Sequence, residues 1–398
     1  SARARPSLPT ATTPSSTTLA TKFTHEIFLE EIKKDMNQLK AGIILNYIII
    51  VLNIAVGLIY TPYMLRTMGQ NEYGLYSLVA SVISYLTVLD LGFGNAIVRY
   101  TSKFRAENKK QEQYEMFGMF LILYCIIGLV ALIAGMGLHS NVENIFGGTM
   151  SAYELDRAKI MMILLTINLA ITFPFSLFGS IAVAYEQFVF LKSLKIARIL
   201  LSTIVMICLL ALGYKAVAMV VIQTIFNIST LLIDYFYCIY KLRIKVIFGK
   251  FKWGFLKEVA IYSFWILLNV VMDRIYWSTG QFVLGAFVGT AAVAIFAVAI
   301  QLEQMYMTFS TSISSVFLPK ITNMVTLNNN PKEISDLFIK TGRLQYIVMS
   351  TILLGFIIFG KQFINLWAGD DYENAYYITL MFFVCLFPPL IQNLGIAI

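Results

Sequence analysis

The chain has 398 residues, of which 58% are hydrophobic and only 13% are charged, and its formal net charge is +8. A water-soluble domain of this length needs more polar surface than this composition supplies, so the composition predicts a membrane protein. The positive charge does not indicate a nucleic-acid partner, because basic loops are normal at the cytoplasmic ends of membrane helices.

Cysteine and histidine offer no metal or redox site. The four cysteines lie singly in apolar runs, and the two histidines, His25 and His139, are far apart. Because a zinc or redox site needs closely spaced ligands such as a CxxC pair, we predict no metal and no cofactor.

The first 35 residues differ from the rest of the chain. They are rich in Ser, Thr and Pro, which favours disorder, and they lack the apolar core of a secretory signal. Met36 opens the apolar pattern. We therefore expect residues 1–35 to be a disordered N-terminal extension that is not native. The chain stops inside an apolar run at Ile398, so we expect a C-terminal truncation.

Ten apolar runs follow, most of them close to the roughly 20 residues that cross a hydrocarbon core of about 30 Å. They predict an all-α polytopic membrane protein with about ten transmembrane helices. The predicted spans are 41–65, 75–98, 116–138, 159–184, 196–214, 216–240, 259–280, 283–318, 345–366 and 375–398.

The basic residues between the spans predict the orientation. With a cytoplasmic N-terminus, 21 of the 30 Lys and Arg residues fall on the cytoplasmic side and 6 on the outer side. This bias is typical of proteins of the plasma (bacterial inner) membrane. The most basic loop, 241–258, is predicted to be an amphipathic cytoplasmic linker on the anionic leaflet. It would separate a six-helix bundle at 36–240 from an incomplete bundle at 259–398.

A weak internal repeat supports two bundles. Gly69 and the segment 73–77 align with Gly289 and 293–297 at an offset of 220 (289 − 69), and Pro174 corresponds to Pro388. Six spans separate the copies, and since six is even, the two bundles should run in the same direction around a central cavity.

Several motifs then resemble a known family. The stretch 61–104 contains Tyr73-Gly74-Leu75-Tyr76, Asp90-Leu91-Gly92-Phe93-Gly94 and Arg99-Tyr100, and FGKQFINLWAGDDYENAYYI follows at 359–378. Together they resemble the polysaccharide-biosynthesis, or O-antigen (Wzx-type), flippases of the multidrug/oligosaccharidyl-lipid/polysaccharide exporter superfamily. The resemblance implies two six-helix bundles around a central cavity that moves an undecaprenyl-diphosphate-linked oligosaccharide between leaflets.

Charged residues inside predicted spans are the main site candidates, because a charge at the bilayer centre is costly. Glu303 either faces the cavity and binds a coupling proton or sodium ion, or makes an interhelical hydrogen bond. Asp273 and Arg274 either hold substrate groups or extend to the membrane surface. None of these alternatives is decided by the sequence.

Three further candidates have equally plain alternatives. Asp90, beside Gly92 and Gly94, fits a cap on a broken helix better than a ligand-binding role. Arg99 either contacts the lipid diphosphate or sets topology. Asn53, on one face with Asn46, either lines the cavity or bonds another helix.

The sequence therefore predicts a non-enzymatic flippase whose partners are a lipid-linked oligosaccharide and membrane lipid, with proton or sodium coupling. The first alternative is a cation-coupled small-molecule or drug antiporter of the same superfamily. A membrane polysaccharide polymerase or ligase is a weaker alternative, because the longest outer loop, 139–158, carries no nucleophile–base pair.

Overall fold

A computed structural model describes residues 16–249, 253–327 and 330–397. All regular secondary structure in these ranges is helical, which confirms the predicted all-α class. Helix α1 runs from Ser16 to Met68, so residues 16–35, which we expected to be disordered, are helical. Residues 1–15, the rest of that predicted extension, lie outside the described residues.

The remaining helices divide at the basic linker. Before it lie α2 (Gln70–Leu86), α3 (Phe93–Ala106), α4 (Lys110–Ser140), α5 (Val142–Phe146), α6 (Ala152–Ala184), α7 (Phe188–Ala211) and α8 (Ala216–Phe236). After it lie α9 (Trp253–Phe287), α10 (Thr290–Thr326), α11 (Pro331–Trp367) and α12 (Ala375–Ile391). We call α1–α8 the first half and α9–α12 the second half.

Short connections make successive spans antiparallel, so helix ends gather at two faces. The Met68 face holds the end of α1 and the starts of α2 and α10, and the Ala106 face holds the end of α3 and the starts of α4 and α7. Nine helical segments in the described ranges are long and apolar enough to cross a membrane, and α12 is a shorter apolar helix. This agrees with about ten predicted spans.

The eighth span differs from its predicted bounds of 283–318. The chain turns at Gly289, so residues 283–287 complete α9, and α10 begins at Thr290. Gly289 has φ of 121°, a left-handed conformation that glycine adopts without steric cost. The sequence offered no turn signal other than this single glycine.

The internal repeat is visible in the helix bounds. The segment α2–α3 spans 70–106 and α10 spans 290–326, so both ends shift by 220 residues (290 − 70 and 326 − 106). Gly69 stands before α2 with φ of 82°, in the same role as Gly289 before α10. One difference is important: α2–α3 is interrupted at 87–92, whereas α10 is continuous.

The described part of the basic linker is extended and packs on α4, which corrects the amphipathic surface segment that we predicted. Ile244 is buried, and the backbone N–H of Ile247 donates to the carbonyl oxygen of Tyr114 at 3.2 Å. Gly118 allows this approach, since a Cβ there would lie 2.2 Å from the Ile247 oxygen. Buried apolar side chains thus hold the linker to the first half.

Candidate functional site

The two halves are packed tightly together at the Met68 face. A Cβ on Gly74 of α2 would lie 1.8 Å from the carbonyl oxygen of Thr290, so the first turns of α2 and α10 are in backbone contact. Thr149, between α5 and α6, donates to the Gly285 oxygen of α9 at 2.8 Å. One buried apolar cluster includes residues of both halves here, among them Leu75 and Val293.

Further hydrogen bonds join α1 and α2 to the end of α11. Trp367 Nε1 donates to the Leu58 oxygen at 2.9 Å, and Gln70 Nε2 donates to the Asp371 oxygen at 3.1 Å. Arg66 donates to the Leu366 oxygen. These contacts and the backbone packing close the Met68 face to solutes.

Helices α1 and α10 separate on the way to the Ala106 face. Gln301 Nε2 donates to Thr61 Oγ1 at 2.6 Å, and Met305 lies against Gly57. Beyond that level α1 packs on α7, while α10 packs on α11 and α12. Asn53, one turn past Gly57, is exposed. The halves therefore enclose a cleft that is closed at the Met68 face and open toward the Ala106 face.

One face of α10 lines this cleft with polar side chains. At 100° per residue, the other members lie within about 80° of Gln301, which points to α1. They are all exposed or half-buried inside a membrane-spanning helix, a position that polar side chains take where they line a hydrated cavity. The members of this α10 stripe are Gln301, Gln304, Thr308, Thr311 and Ser315.

A cationic face on α7 is turned away from the lipid. Lys195 and Arg198 each precede an exposed isoleucine, Ile204 and Ile207, by nine residues, which is half a turn away in projection. Neither cation has a hydrogen bond or ion pair among the residues that the structure describes. Arg198 lies 10 residues, or about 15 Å, from the start of α7, which is a membrane-interior depth.

Helix α1 brings a predicted residue to the same level. Lys192 Nζ of α7 donates to Asn46 Oδ1 of α1 at 2.8 Å, a residue offset of 146. Since Gly42 and Phe188 are in contact at that same offset, the two helices run in parallel. Asn53 therefore lies level with the turn of α7 that carries Arg198.

A second polar group lies inside the first half. Asn227 Nδ2 of α8 donates to Asn168 Oδ1 at 2.9 Å and to Thr172 Oγ1 at 2.8 Å, both on α6. Gln223, one turn earlier on α8, donates to the Tyr76 hydroxyl of α2 at 2.5 Å. Our sequence reasoning missed these residues because it weighed charged groups first; the i, i+4 spacing of Gln223 and Asn227 was the available signal.

Glu303 does not share the cleft face with its neighbours Gln301 and Gln304. It lies 200° from Gln301 in projection and is 1% exposed, inside the second half. Neither carboxyl oxygen has a hydrogen-bond partner in the described part of the chain. The prediction of a carboxylate on the wet face is wrong for this conformation, because two residues along a helix reverse the direction of a side chain.

Asp90 lies at the interruption between α2 and α3. Its carboxylate accepts hydrogen bonds from Tyr124 Oη at 3.0 Å and from the backbone N–H groups of Gly92 and Gly94. Leu91 and Gly92 have φ of 54° and 71°. This is the capping arrangement at a broken helix that the sequence favoured for Asp90.

The repeat places a matching pair in the second half. Asp90 and Tyr124 shift by 220 and 221 residues onto Ser310 and Gln345 (310 − 90 and 345 − 124). Gln345 Nε2 lies 3.2 Å from Ser310 Oγ and 2.7 Å from Ser314 Oγ. Both halves therefore anchor the middle of this helix to the next one through a polar side chain, but only the first half breaks the helix there.

The other predicted residues are dispersed. The Arg99 guanidinium lies 4.5 Å from the centre of the Tyr262 ring of α9, an exposed cation–π contact between the halves. Asp273 is exposed, and the Nε atom of Arg274 is buried without a partner among the described residues. No hydrogen bond or ion pair within the described ranges joins any two of the six predicted site residues.

Comparison with known proteins agrees with this architecture. The family model described as polysaccharide biosynthesis protein matches residues 39–325. A curated Salmonella typhimurium protein named "Putative O-antigen transporter" is 28% identical over 130 residues, which cover 31% of this chain and 27% of that protein. The match thus spans about a quarter of the relative's length.

Solved structures share the fold at low sequence identity. An inward-facing multidrug resistance MATE family transporter of the MOP superfamily aligns with a TM-score of 0.58 and 14% identity, covering 86% of this chain and 84% of that one. An outward-facing MATE structure gives 0.57 and 13%, with coverage of 92% and 84%. A Pyrococcus furiosus MOP superfamily transporter gives 0.58 and 14%, with coverage of 91% and 83%.

Proposed function

The chain belongs to the polysaccharide biosynthesis protein family and is a membrane transporter of the MOP superfamily, and from this premise we propose that it flips a lipid-linked oligosaccharide of the undecaprenyl-diphosphate type. The membrane is the plasma membrane, and the Ala106 face is cytoplasmic. The positive-inside bias supports this orientation. Family and fold point to a transporter rather than an enzyme.

The cleft between α1 and α10 is the observation that carries the proposal. It is closed at the Met68 face and open toward the Ala106 face, where a cytoplasmically made substrate would enter. Its polar wall differs from the apolar surface elsewhere on these spans. Such a wall suits a cargo with many hydroxyl groups, which needs hydrogen-bond partners inside a bilayer.

The chemistry of the two lining surfaces fits the two polar parts of such a cargo. Lys195 and Arg198 supply positive charge at membrane-interior depth, and a diphosphate would neutralise both. The hydroxyls and amides of the α10 stripe offer donors and acceptors to sugar hydroxyls. The polyprenyl chain needs no such partners and can remain in the surrounding lipid.

The alternative is a cation-coupled drug antiporter, and two observations favour it. The fold neighbours include multidrug resistance transporters. Glu303 is a buried carboxyl group with unsatisfied oxygens, the kind of residue that can take up a proton or sodium ion during transport. In either case Glu303 is our candidate for ion coupling, and Asp273, Arg274 and Arg99 remain secondary candidates.

Complementation of a flippase-deficient strain tests the proposal. We expect the wild-type chain to restore surface polysaccharide, and Lys195→Gln with Arg198→Gln to abolish it while lipid-linked intermediates accumulate inside. Lys215→Gln is the matched control, because this exposed cation lies outside the cleft at the Met68 face. Restored drug resistance without restored polysaccharide would favour the antiporter instead.

A further inference from the structure

The Glu154 carboxylate uses its two oxygens for different purposes. Oε2 accepts hydrogen bonds from the Ser151 backbone N–H at 2.8 Å and from Ser151 Oγ at 2.7 Å. Ser151 Oγ in turn accepts from the Glu154 N–H, which completes a capping box at the start of α6. Oε1 accepts from Thr290 Oγ1 at 2.7 Å.

The Thr290 bond crosses between the halves at their tightest contact. Thr290 is the first residue of α10, and its carbonyl oxygen is the atom on which Gly74 packs. Any motion that opens the Met68 face must carry this first turn of α10 away from α2 and α6. We propose that Glu154 and Thr290 form the latch that holds the Met68 face closed, whatever cargo the cleft carries.

The neighbouring Glu72 explains why the latch partner is a rigid unit. Glu72 of α2 is buried and accepts from Tyr153 Oη at 3.0 Å and from the Ala216 backbone N–H at 3.3 Å. It thereby ties the first turns of α2, α6 and α8 together within the first half. Opening can then proceed by separation of α10 from this platform rather than by distortion of it.

The capping box makes the latch reversible. When Thr290 leaves, the Glu154 carboxylate stays bound to Ser151 and keeps its orientation, so no buried charge loses all of its partners. The same orientation lets the bond re-form without a search over side-chain rotamers. Removing the Thr290 hydroxyl should therefore favour the open state and leave the capping box intact.

Distances between spin labels test the latch. One label pair, at Gly148→Cys and Asp370→Cys, spans the halves at the Met68 face, and a second pair, at Ser193→Cys and Asn323→Cys, spans them at the Ala106 face. All four positions are exposed. The native cysteines are replaced in this background, and each pair is measured by double electron–electron resonance in lipid nanodiscs.

For Thr290→Val we expect the ratio of open to closed Met68-face distances to rise about tenfold, equivalent to ~1.4 kcal/mol. The Ala106-face distance should shorten in the same fraction of molecules. Thr290→Ser keeps the hydroxyl and should match the wild type, and so should Ser151→Ala, which weakens the cap alone. Unchanged distances in Thr290→Val, or a lengthening at both faces, would overturn the latch.

Discussion

Replacing Gly74 by alanine should weaken the contact that closes the Met68 face. The added Cβ would lie 1.8 Å from the Thr290 oxygen and 2.7 Å from its carbonyl carbon. Both atoms are backbone, so no side chain can rotate away. An ordinary contact begins near 3.4 Å, and α2 and α10 must therefore separate by about 1.6 Å or bend.

Overpacking of this kind typically costs about 1–3 kcal/mol. In detergent, the purified Gly74→Ala protein should therefore unfold a few degrees below the wild type when tryptophan fluorescence is followed during heating. The Met68-face label distance should lengthen at the same time.

Gly137→Ala in α4 is the matched control for this experiment. No atom lies within 4 Å of the new Cβ there, and alanine favours a helix by about 1 kcal/mol over glycine, so its stability should equal or exceed that of the wild type. If Gly74→Ala were as stable as Gly137→Ala and kept the wild-type label distance, the close backbone contact would be refuted.

Three other changes probe separate parts of the molecule. Tyr124→Phe removes the donor to Asp90 and should lower the free energy of unfolding by about 1–2 kcal/mol; equal thermal stability would mean that the backbone donors suffice. A hydrogen bond from Lys159 holds the pKa of Glu143 below its usual value, so the pair stabilises at neutral pH and loses this effect as pH falls through the lowered pKa. Unfolding of Glu143→Gln should therefore converge with that of the wild type in acid, and a gap that persists there would contradict this. Glu303→Gln should reduce surface polysaccharide at normal protein abundance, and full complementation would withdraw the coupling role.

The sequence predicted the order and approximate bounds of the spans because hydrophobic length alone decides them. It also predicted the repeat, since Gly69 and Gly289 are needed at equivalent left-handed turns. The break at Asp90 was accessible for the same reason: Asp-Leu-Gly-Phe-Gly combines a capping side chain with two glycines.

The direction of individual side chains was less accessible. In a membrane helix the lipid-facing and protein-facing surfaces are both apolar, so hydropathy does not fix the rotation of α10, and Glu303 was placed on the wrong face. Arg198 was counted only as a topology-setting charge. Its opposition to Ile207 becomes informative once both residues are known to lie in one straight helix.

The most direct test of the central claim is transport by the purified chain in liposomes. An undecaprenyl-diphosphate oligosaccharide carrying a labelled sugar is placed in both leaflets, and a membrane-impermeant glycosidase removes the exposed label. With the wild-type chain we expect nearly all of the label to become accessible, and with Arg198→Gln we expect accessibility to develop about tenfold more slowly, or ~1.4 kcal/mol. Accessibility that stops at the outer-leaflet fraction, as in protein-free liposomes, would contradict the account.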